Sequence, residues 1–322
     1  MDIQQELLTR LLQSGGDYLS GGELARELRV SRNAIWKAVA ALREAGFAIE
    51  AVTNRGYRLR EMGDDLHPKA VSGMLRTQSL GRPLYVHDTL ASTNQTAREL
   101  ADQGAPGGTT VVARRQTAGR GRRGRQFDSP EGGGLYMSVI LRPENWRGDP
   151  GLLTSCAAVA VARAVERICP VTVQIKWVND LFVGDKKVCG ILTEAGVGLE
   201  SGELEYAVLG VGINTGHREF PPELADIAAS LGTVTGASIS RGALLAAVLE
   251  ELEPALLKLE DGAFLEESRR RSLLLGRTVT VQTLSGPYVA VAEAITDRGH
   301  LRVRLPDGTA RELSSGEVSV RL

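Results

Sequence analysis

Between Arg114 and Phe127 the chain reads RRQTAGRGRRGRQF, with six arginines and no acidic residue up to Arg125. Guanidinium groups bind carboxylate and phosphate oxygens in a fork, and glycines let backbone N–H groups turn toward a ligand. This composition predicts an anion-binding loop; a solvated, flexible basic loop is the alternative. The apolar run 134–141 follows at once, so we expect the loop to lie within a folded domain.

Residues 90–94, LASTN, precede a helical pattern and place small hydroxyl and amide groups at a helix N-terminus. Such groups either cap the helix or bind a small polar ligand, and taken alone the motif favours the cap. Residues 210–215, GVGINT, contain glycines that permit close backbone approach, although this pattern is common. Neither stretch is diagnostic by itself.

Residues 175–191, IKWVNDLFVGDKKVCGI, predict a strand, a polar turn at Asn179 and Asp180, and a return strand. The chain has only six lysines against 32 arginines, yet this stretch contains Lys176 and Lys187. Either lysine, if it lay close to the arginines, would require an anionic ligand between the like charges.

The four histidines stand alone, and no Ser/His/Asp or Cys/His arrangement is apparent. The predicted chemistry is therefore positioning and charge neutralisation, as when a nucleoside triphosphate supplies the reactive bond. The three cysteines lack CxxC spacing, which argues against a metal cluster or a disulfide framework and favours a reducing cytoplasm. No signal peptide or apolar run of about 18 residues is present, so no membrane association is expected.

A length of 322 residues predicts more than one domain. Apolar spacing predicts three helices, the third capped by Ser31 and ended by Gly46, and then two strands around the turn 53–56. This pattern predicts a winged helix-turn-helix. The net charge of −1 gives no bulk affinity for nucleic acid, but residues 26–60 carry eight basic side chains against three acids. The predicted DNA contacts are Ser31, Arg32, Asn33, Trp36, Lys37 and Arg55.

The chain divides into three expected domains with an α+β fold class. Residues 1–63 form the winged helix-turn-helix, and residues 61–70 resemble a linker. Residues 69–272 alternate strands and helices without strict βαβ order, which indicates a mixed sheet. Residues 273–322 alternate apolar and polar positions between turns, which predicts a small SH3-like β-barrel.

The ordered motifs STN (92–94), QTAGRGRRGR (116–125), KWVND (176–180), KKVCGIL (186–192) and GVGIN (210–214) lie between the winged module and the barrel. In this order they resemble the bifunctional biotin–protein ligases that also repress the biotin operon, and the resemblance covers all three segments. It implies a central domain of the biotin/lipoate ligase type, which forms biotinyl-5′-adenylate from biotin and ATP with Mg²⁺. A lysine of the biotin carboxyl carrier protein then attacks the adenylate.

The resemblance also implies site residues. Biotin would contact Ser92, Thr93, Asn94, Gln116, Arg120, Gly121, Arg122 and Lys187. ATP and the adenylate would contact Arg122, Arg123, Arg125, Phe127, Lys176, Asn179, Asp180 and Asn214. Catalytic roles would fall to Arg120, Arg122, Lys187 and Asp180, with Asp180 also on the metal side.

The arginine-rich loop would close as a lid over the adenylate, and the adenylate-bound homodimer would bind operator DNA. Two positions depart from the family pattern: Phe127 replaces a tryptophan, and Val178 replaces a proline. Because neither change removes a charge, we expect altered nucleotide affinity rather than lost activity. Three alternatives remain: a ligase without a repressor role, a non-catalytic effector-binding transcription factor, and a lipoate ligase.

Overall fold

The structure is a computed structural model that describes residues 3–44, 47–62, 66–198, 202–283 and 286–320, leaving aside the side chains at positions 61, 62, 317 and 320. The chain forms two compact units. The first comprises Met1–Arg76 with Ser240–Ala246, and the second comprises Thr77–Ile239 with Ala247–Leu322.

The first unit contains the predicted helix-turn-helix and its hairpin. Leu7, Leu11, Ile35 and Leu42 are fully or almost fully buried and form the centre of its core, as the helical spacing of these residues requires. The expected helix end at Gly46 lies outside the described residues. The elements are α1 (Ile3–Gln13), α2 (Gly21–Glu27), α3 (Arg32–Glu44), β1 (Phe47–Val52), β2 (Gly56–Met62) and α4 (Pro68–Met74).

Helix α4 corrects the expected linker at residues 61–70. Pro68 lies in the first turn of this helix, where its missing N–H is not needed, and the His67 side chain accepts a hydrogen bond from the Lys69 backbone N–H at 3.2 Å. The end of the expected linker is therefore the start of a helix.

The second unit is built on a mixed seven-stranded sheet of the described residues. Its strands are β3 (Leu84–Leu90), β4 (Thr110–Gln116), β5 (Gly134–Leu141), β6 (Gln174–Lys176), β7 (Asp180–Val183), β8 (Lys186–Val197) and β9 (Leu204–Asn214). Their order is β3-β4-β5-β9-β8-β7-β6, and all neighbours except β3 and β4 are antiparallel. Residues 175–191 hold three strands, where the sequence predicted two, because a second turn follows β7.

Helices pack on this sheet. Ala97 and Ala101 of the first of them lie against Val111, Ile140 and Val208 of the sheet. The next is buried on nearly all faces, as its apolar sequence LTSCAAVAVA predicts. These two helices are α5 (Thr93–Asp102) and α6 (Leu153–Ile168). The chain also contains α7 (Pro222–Ala225), α8 (Leu231–Thr235), α9 (Arg241–Leu257), whose first residues belong to the first unit, and α10 (Ala263–Arg270).

The C-terminal part of the second unit is a five-stranded antiparallel sheet, which confirms the small all-β domain. Val279, Val281, Leu301 and Val303 point to its core, in the expected alternation. The strands are β10 (Thr278–Gln282), β11 (Tyr288–Ile295), β12 (Leu301–Arg304), β13 (Ala310–Leu313) and β14 (Glu317–Val320), in the order β13-β12-β11-β10-β14. Across the described ranges, no helix is both long and apolar enough to cross a membrane.

Candidate active site

A cavity of about 270 Å³ lies in the second unit. Its floor is formed by strands β8 and β9, and the loop 117–127, called the arginine loop below, borders it. The cavity brings together fourteen of the residues predicted to bind biotin or nucleotide: Ser92, Thr93, Asn94, Gln116, Arg120, Gly121, Arg122, Arg123, Arg125, Phe127, Lys176, Asn179, Asp180 and Lys187.

The Ser92–Asn94 motif forms one wall. Ser92 occupies the N-cap position of α5, yet its side chain makes no capping hydrogen bond, so capping does not explain this residue. Thr93 donates from its backbone N–H and its hydroxyl to Oε1 of Gln116, at 2.8 and 3.1 Å. The Asn94 amide is held by protein groups on both sides: it donates to Glu194 at 2.8 Å and accepts from Ser138 at 2.6 Å.

Hydrogen bonds across the two arms shape the arginine loop. The Phe127 N–H donates to the carbonyl of Gly119 at 2.9 Å, and the Gly121 N–H donates to the carbonyl of Arg125 at 2.7 Å. At the base, Gln116 donates from Nε2 to the Ser129 hydroxyl at 2.9 Å. The loop is therefore a narrow hairpin anchored to the Thr93 wall through Gln116.

The structure divides the six arginines of the opening motif. Arg114 and Arg115 belong to β4 rather than to a loop, and Arg114 lies 3.3 Å from Asp88. Within the loop, Arg122 donates from Nη1 to the amide oxygen of Asn179 at 3.1 Å. The predicted anion-binding loop thus begins three residues later than Arg114 and brings four arginines, at positions 120, 122, 123 and 125, to the cavity.

Lys187 and Asp180 form an ion pair of 2.7 Å in the cavity. Asn179 donates from Nδ2 to Asp180 at 3.1 Å, and its Oδ1 accepts from Arg122. These contacts connect the arginine loop, the β6–β7 turn and β8 in one polar chain. The peptide bond between Trp177 and Val178 is cis.

Phe127 lies on a floor of glycines. A Cβ atom at Gly212 would approach the Phe127 ring to 2.6 Å, and one at Gly190 would approach it to 3.3 Å. These two glycines are cross-strand partners in β8 and β9. The GVGIN motif therefore makes room for the ring, a role that its glycines alone left undecided.

Asn214, the remaining predicted nucleotide contact, does not line the cavity. It is buried at the end of β9, where its Nδ2 donates to the Ala229 carbonyl at 3.2 Å and its Oδ1 accepts from Arg218 at 3.2 Å. Sequence reasoning also missed several wall residues, because these lie in unremarkable stretches far along the chain: Leu224, Ile227, Ala228, Gly316 and Val318.

The cavity suits two anionic ligands that must meet. Its polar lining combines five or more cations with amide and hydroxyl groups, and Asp180 is the carboxylate among the described lining residues. Mg²⁺ takes oxygen ligands and is commonly held by one or two carboxylates plus substrate phosphates, so Asp180 fits such a role. No cluster of three metal-ligating side chains occurs in the described part of the chain.

The first unit presents the predicted DNA contacts at its surface. Ser31 caps α3, since its hydroxyl accepts from the Ala34 N–H at 3.1 Å. The other residues at the start of α3 are exposed, with Trp36 at 60%. Arg55 lies at the hairpin turn with its guanidinium 4.3 Å from the Tyr18 ring centroid. Trp36 and the cations Arg32 and Lys37 are thus all exposed at the start of α3, as the predicted DNA contact requires.

In the hairpin, Glu50 is surrounded by donors. It lies 2.6 Å from Arg58 and 2.8 Å from Arg60, and it accepts from the Tyr18 hydroxyl at 2.8 Å. The hydrogen bond from Arg58, followed by that from Tyr18, lowers the pKa of the Glu50 carboxyl from 4.5 to about 2.

Comparisons with known proteins agree with this arrangement. Three family profiles match in order: an HTH domain at residues 3–58, the biotin/lipoate A/B protein ligase family at 86–214, and the biotin protein ligase C-terminal domain at 274–321. The bifunctional ligase/repressor BirA of Bacillus subtilis is 36% identical over 320 residues, which cover 97% of each chain. This chain belongs to the bifunctional ligase/repressor family.

Two further comparisons support the assignment of this chain to the family. The bifunctional ligase/repressor BirA of Escherichia coli is 29% identical over 96% of this chain and 95% of its own. The biotin protein ligase of Aquifex aeolicus in complex with biotin and ATP has a TM-score of 0.63 and 32% identity, covering 74% of this chain and 98% of that chain. The predicted family, its ligase class and its helix-turn-helix domain are confirmed.

Proposed function

We propose that this chain joins biotin to ATP as biotinyl-5′-adenylate and then transfers the biotinyl group to a lysine of a biotin carboxyl carrier protein. The observation that carries the proposal is the cavity in which the arginine loop, Lys187 and the Ser92–Gln116 wall converge. The family relationship and the likeness to a ligase that holds biotin and ATP support the same reaction.

In the first step, a carboxylate oxygen of biotin attacks the α-phosphorus of ATP, and the bond to the pyrophosphate oxygen breaks. Two anions must approach each other, so nearby cations lower the barrier by offsetting their repulsion and the charge that develops. Lys187 supplies a compact ammonium at this point, and Arg120 and Arg122 close over the carboxylate from the loop. Arg123, Arg125 and Lys176 hold the phosphates.

Lys187 is kept in place by Asp180 at 2.7 Å. An ammonium group has three N–H donors, and the Asp180 carboxylate uses one of them. In this proposal the biotin carboxylate therefore binds Lys187 at the same time as Asp180 does. Mg²⁺ bound with ATP would withdraw charge from the phosphates, and Asp180 and Asn179 are the residues that would hold it.

In the second step, the unprotonated amine of the acceptor lysine attacks the acyl carbon, AMP leaves with the anhydride oxygen, and the nitrogen loses a proton. The adenylate is prone to hydrolysis, so it must be shielded from water until the acceptor arrives. The glycines of the arginine loop permit the loop to order over the adenylate, and Phe127 on its glycine floor would contact the adenine side.

We further propose that the adenylate-bound chain forms a homodimer in the cytoplasm and binds a symmetric operator. Each copy would place the start of α3, with Arg32, Asn33 and Lys37, in the major groove, and Arg55 against the phosphate backbone. The local basic excess and the helix-turn-helix family match support this DNA-binding role.

Incubation with biotin, ATP and an acceptor domain, read by avidin blot, tests the enzymatic proposal. A label that depends on ATP is expected, and its absence would favour a non-catalytic effector-binding transcription factor. Replacing biotin with lipoate in the same assay tests the lipoate ligase. A mobility-shift assay with operator DNA, with and without biotin and ATP, tests repression. The absence of a shift in both conditions would favour a ligase without a repressor role.

A further inference from the structure

Arg218 lies four residues beyond β9, and its side chain is only 12% exposed. Its guanidinium contacts two different parts of the second unit: Nη1 donates to Asp128 at 2.7 Å, and Nη2 donates to Asn214 at 3.2 Å. Its Cζ atom lies 4.0 Å from the centroid of the Phe220 ring. We infer that Arg218 is a positioning residue that couples the arginine loop to the backbone of Lys187 at the cavity.

On the loop side, Arg218 fixes one arm. Asp128 directly follows Phe127, whose ring covers the glycine floor of the cavity. The other arm is held independently, because the N–H groups of Thr117 and Ala118 each donate to backbone carbonyls of residues 90 and 91 at 2.9 Å. Loss of the Arg218 contact would therefore loosen the Phe127 arm, which keeps its bonds to Gly119 and Ser129, and would leave the arm beside the biotin wall in place.

On the cavity side, the contact continues through Asn214. The Asn214 amide donates to the Ala229 carbonyl at 3.2 Å, and the Ala229 N–H donates to the Lys187 carbonyl at 3.0 Å. The Lys187 N–H in turn donates to the Ile227 carbonyl at 2.8 Å. A continuous path of hydrogen bonds therefore joins Asp128 to the backbone of Lys187 through Arg218, Asn214 and Ala229. Ile227, the next residue bonded to Lys187, lines the cavity.

An arginine is needed for this geometry. Its planar fork reaches two acceptors at once and stacks on an aromatic ring, whereas a lysine is a point charge without the fork. Nε of Arg218 is buried and has no acceptor among the described residues. Contacts with Asp128, Asn214 and Phe220 therefore fix the position of the guanidinium, although its Nε–H makes no hydrogen bond to a described residue.

The test rests on the proposed adenylation and compares Arg218→Ala and Arg218→Lys with the unaltered chain. Pyrophosphate release gives KM for ATP and for biotin, and a chase with excess unlabelled biotin gives the rate of adenylate dissociation. We expect both variants to raise KM for ATP by about tenfold and to speed adenylate dissociation, because neither side chain has the fork that bonds Asp128 and Asn214 together and thereby holds the Phe127 arm proposed to contact adenine. Biotin affinity should stay within about twofold, because the Thr93–Gln116 wall and the Lys187–Asp180 ion pair are held by contacts that do not involve Arg218.

Arg163→Gln is the matched control, because it breaks a different arginine–carboxylate pair, with Glu267, on α6 and α10 of the same unit. It should leave both KM values unchanged. An Asp128→Asn variant should reproduce the ATP effect, and combining it with Arg218→Lys should add little.

Unchanged ATP kinetics in the Arg218 variants would overturn the inference, as would parallel losses of ATP and biotin affinity. If Arg218→Ala does not fold, Arg218→Lys and Asp128→Asn carry the same comparison. Failure of the unaltered chain to form adenylate would instead refute the proposed reaction itself.

Discussion

The hairpin of the first unit and the arginine loop of the second unit are both rich in arginine, but their arginines contact different acceptors. In the hairpin, a carboxylate, Glu50, pairs with Arg58 and Arg60. In the loop, Arg122 donates to the neutral amide oxygen of Asn179, and Arg120 donates to that of Gln95. An amide contact orients a guanidinium without neutralising it, whereas a carboxylate contact removes much of its field.

The difference shows how one residue type serves two purposes. In the hairpin, the paired arginines hold the shape of the turn, and Arg55 and Arg58 stack on the Tyr18 ring. In the cavity, four arginines of the loop line the space that the proposed ligands would occupy, and those ligands would bring negative charge. We expect substitutions of the cavity cations to change ligand binding, and substitutions in the hairpin to change the stability of the hairpin and its affinity for DNA.

The largest effect should follow Lys187→Ala, which removes the ammonium from the cavity. Because this charge stabilises the meeting of two anions, we expect adenylate formation, measured as pyrophosphate release, to fall by about 10²- to 10³-fold. Lys186→Ala is the control: Lys186 bonds the carbonyls of Ala225 and Asp226 and should change the rate little. Similar losses in the two variants would contradict a specific role for Lys187.

Arg122→Gly should open the arginine loop, because it removes the contact with Asn179 that ties the loop to the β6–β7 turn. We expect the adenylate to dissociate about tenfold faster, the factor that corresponds to loss of about 1.4 kcal/mol. Escaped adenylate would label bystander lysines, which avidin blots of an added non-acceptor protein detect. Arg115→Ala, on β4, should retain acceptor selectivity; unchanged selectivity in Arg122→Gly would refute the loop's retaining role.

Glu50→Gln should release the hairpin arginines from their carboxylate. If operator DNA then binds Arg58 and Arg60 as phosphate contacts, the slope of log K against log salt should steepen by about one to two. Fluorescence anisotropy of labelled operator DNA at several salt concentrations measures this slope. A slope equal to that of the unaltered chain would show that these arginines serve only the fold.

The lowered pKa of Glu50 also predicts a pH dependence of the hairpin. The carboxyl has a pKa of about 2 in the folded chain, below its ordinary value of 4.5, so its stabilising contribution is present above pH 4.5. That contribution is lost as the pH falls from 4.5 toward 2. Hydrogen exchange of peptides from residues 47–62 should show protection that declines as the pH falls through this window. In Glu50→Gln the decline in protection should be smaller, because glutamine does not titrate.

The smallest effect should come from Phe127→Trp, which restores the residue usual in the family. A larger ring adds contact area over adenine, so we expect KM for ATP to fall about twofold to threefold. Phe127→Leu should move KM in the opposite direction. An increase in KM for the tryptophan variant would show that the space above Gly190 and Gly212 admits only phenylalanine.

Local pattern predicted many of the helices and strands: helical spacing located α1 and α3, and alternation located the C-terminal strands. The site residues came from the resemblance of the ordered motifs to a family, and fourteen of them line one cavity, while their binding roles stay a prediction. These features depend on short-range periodicity or on motifs whose residues are close in sequence. The hairpin turn at residues 53–56 was predictable for the same reason.

Contacts between distant positions could not be predicted in this way. Arg218 bonds Asp128, which lies 90 positions away in the sequence. Val318 lines the cavity, but the apolar–polar alternation of its strand predicts only which of its residues face the core of the C-terminal sheet. The family resemblance placed Asn214 near the nucleotide, and that contact stays a prediction; its burial and its bond to Arg218 could not be predicted from the motif. Tertiary packing, which local patterns do not contain, decides such cases.

The glycine floor of β8 and β9 has one further consequence. Because Gly190 and Gly212 pair directly across the two strands, this part of the cavity bottom is main chain rather than side chain. Main chain within a sheet has no rotamers to change, so the surface on which the Phe127 ring rests stays in the same place whether the arginine loop is open or closed. The sheet therefore fixes the lower limit of the cavity, and movement of the loop with its Phe127 ring sets the space above that limit.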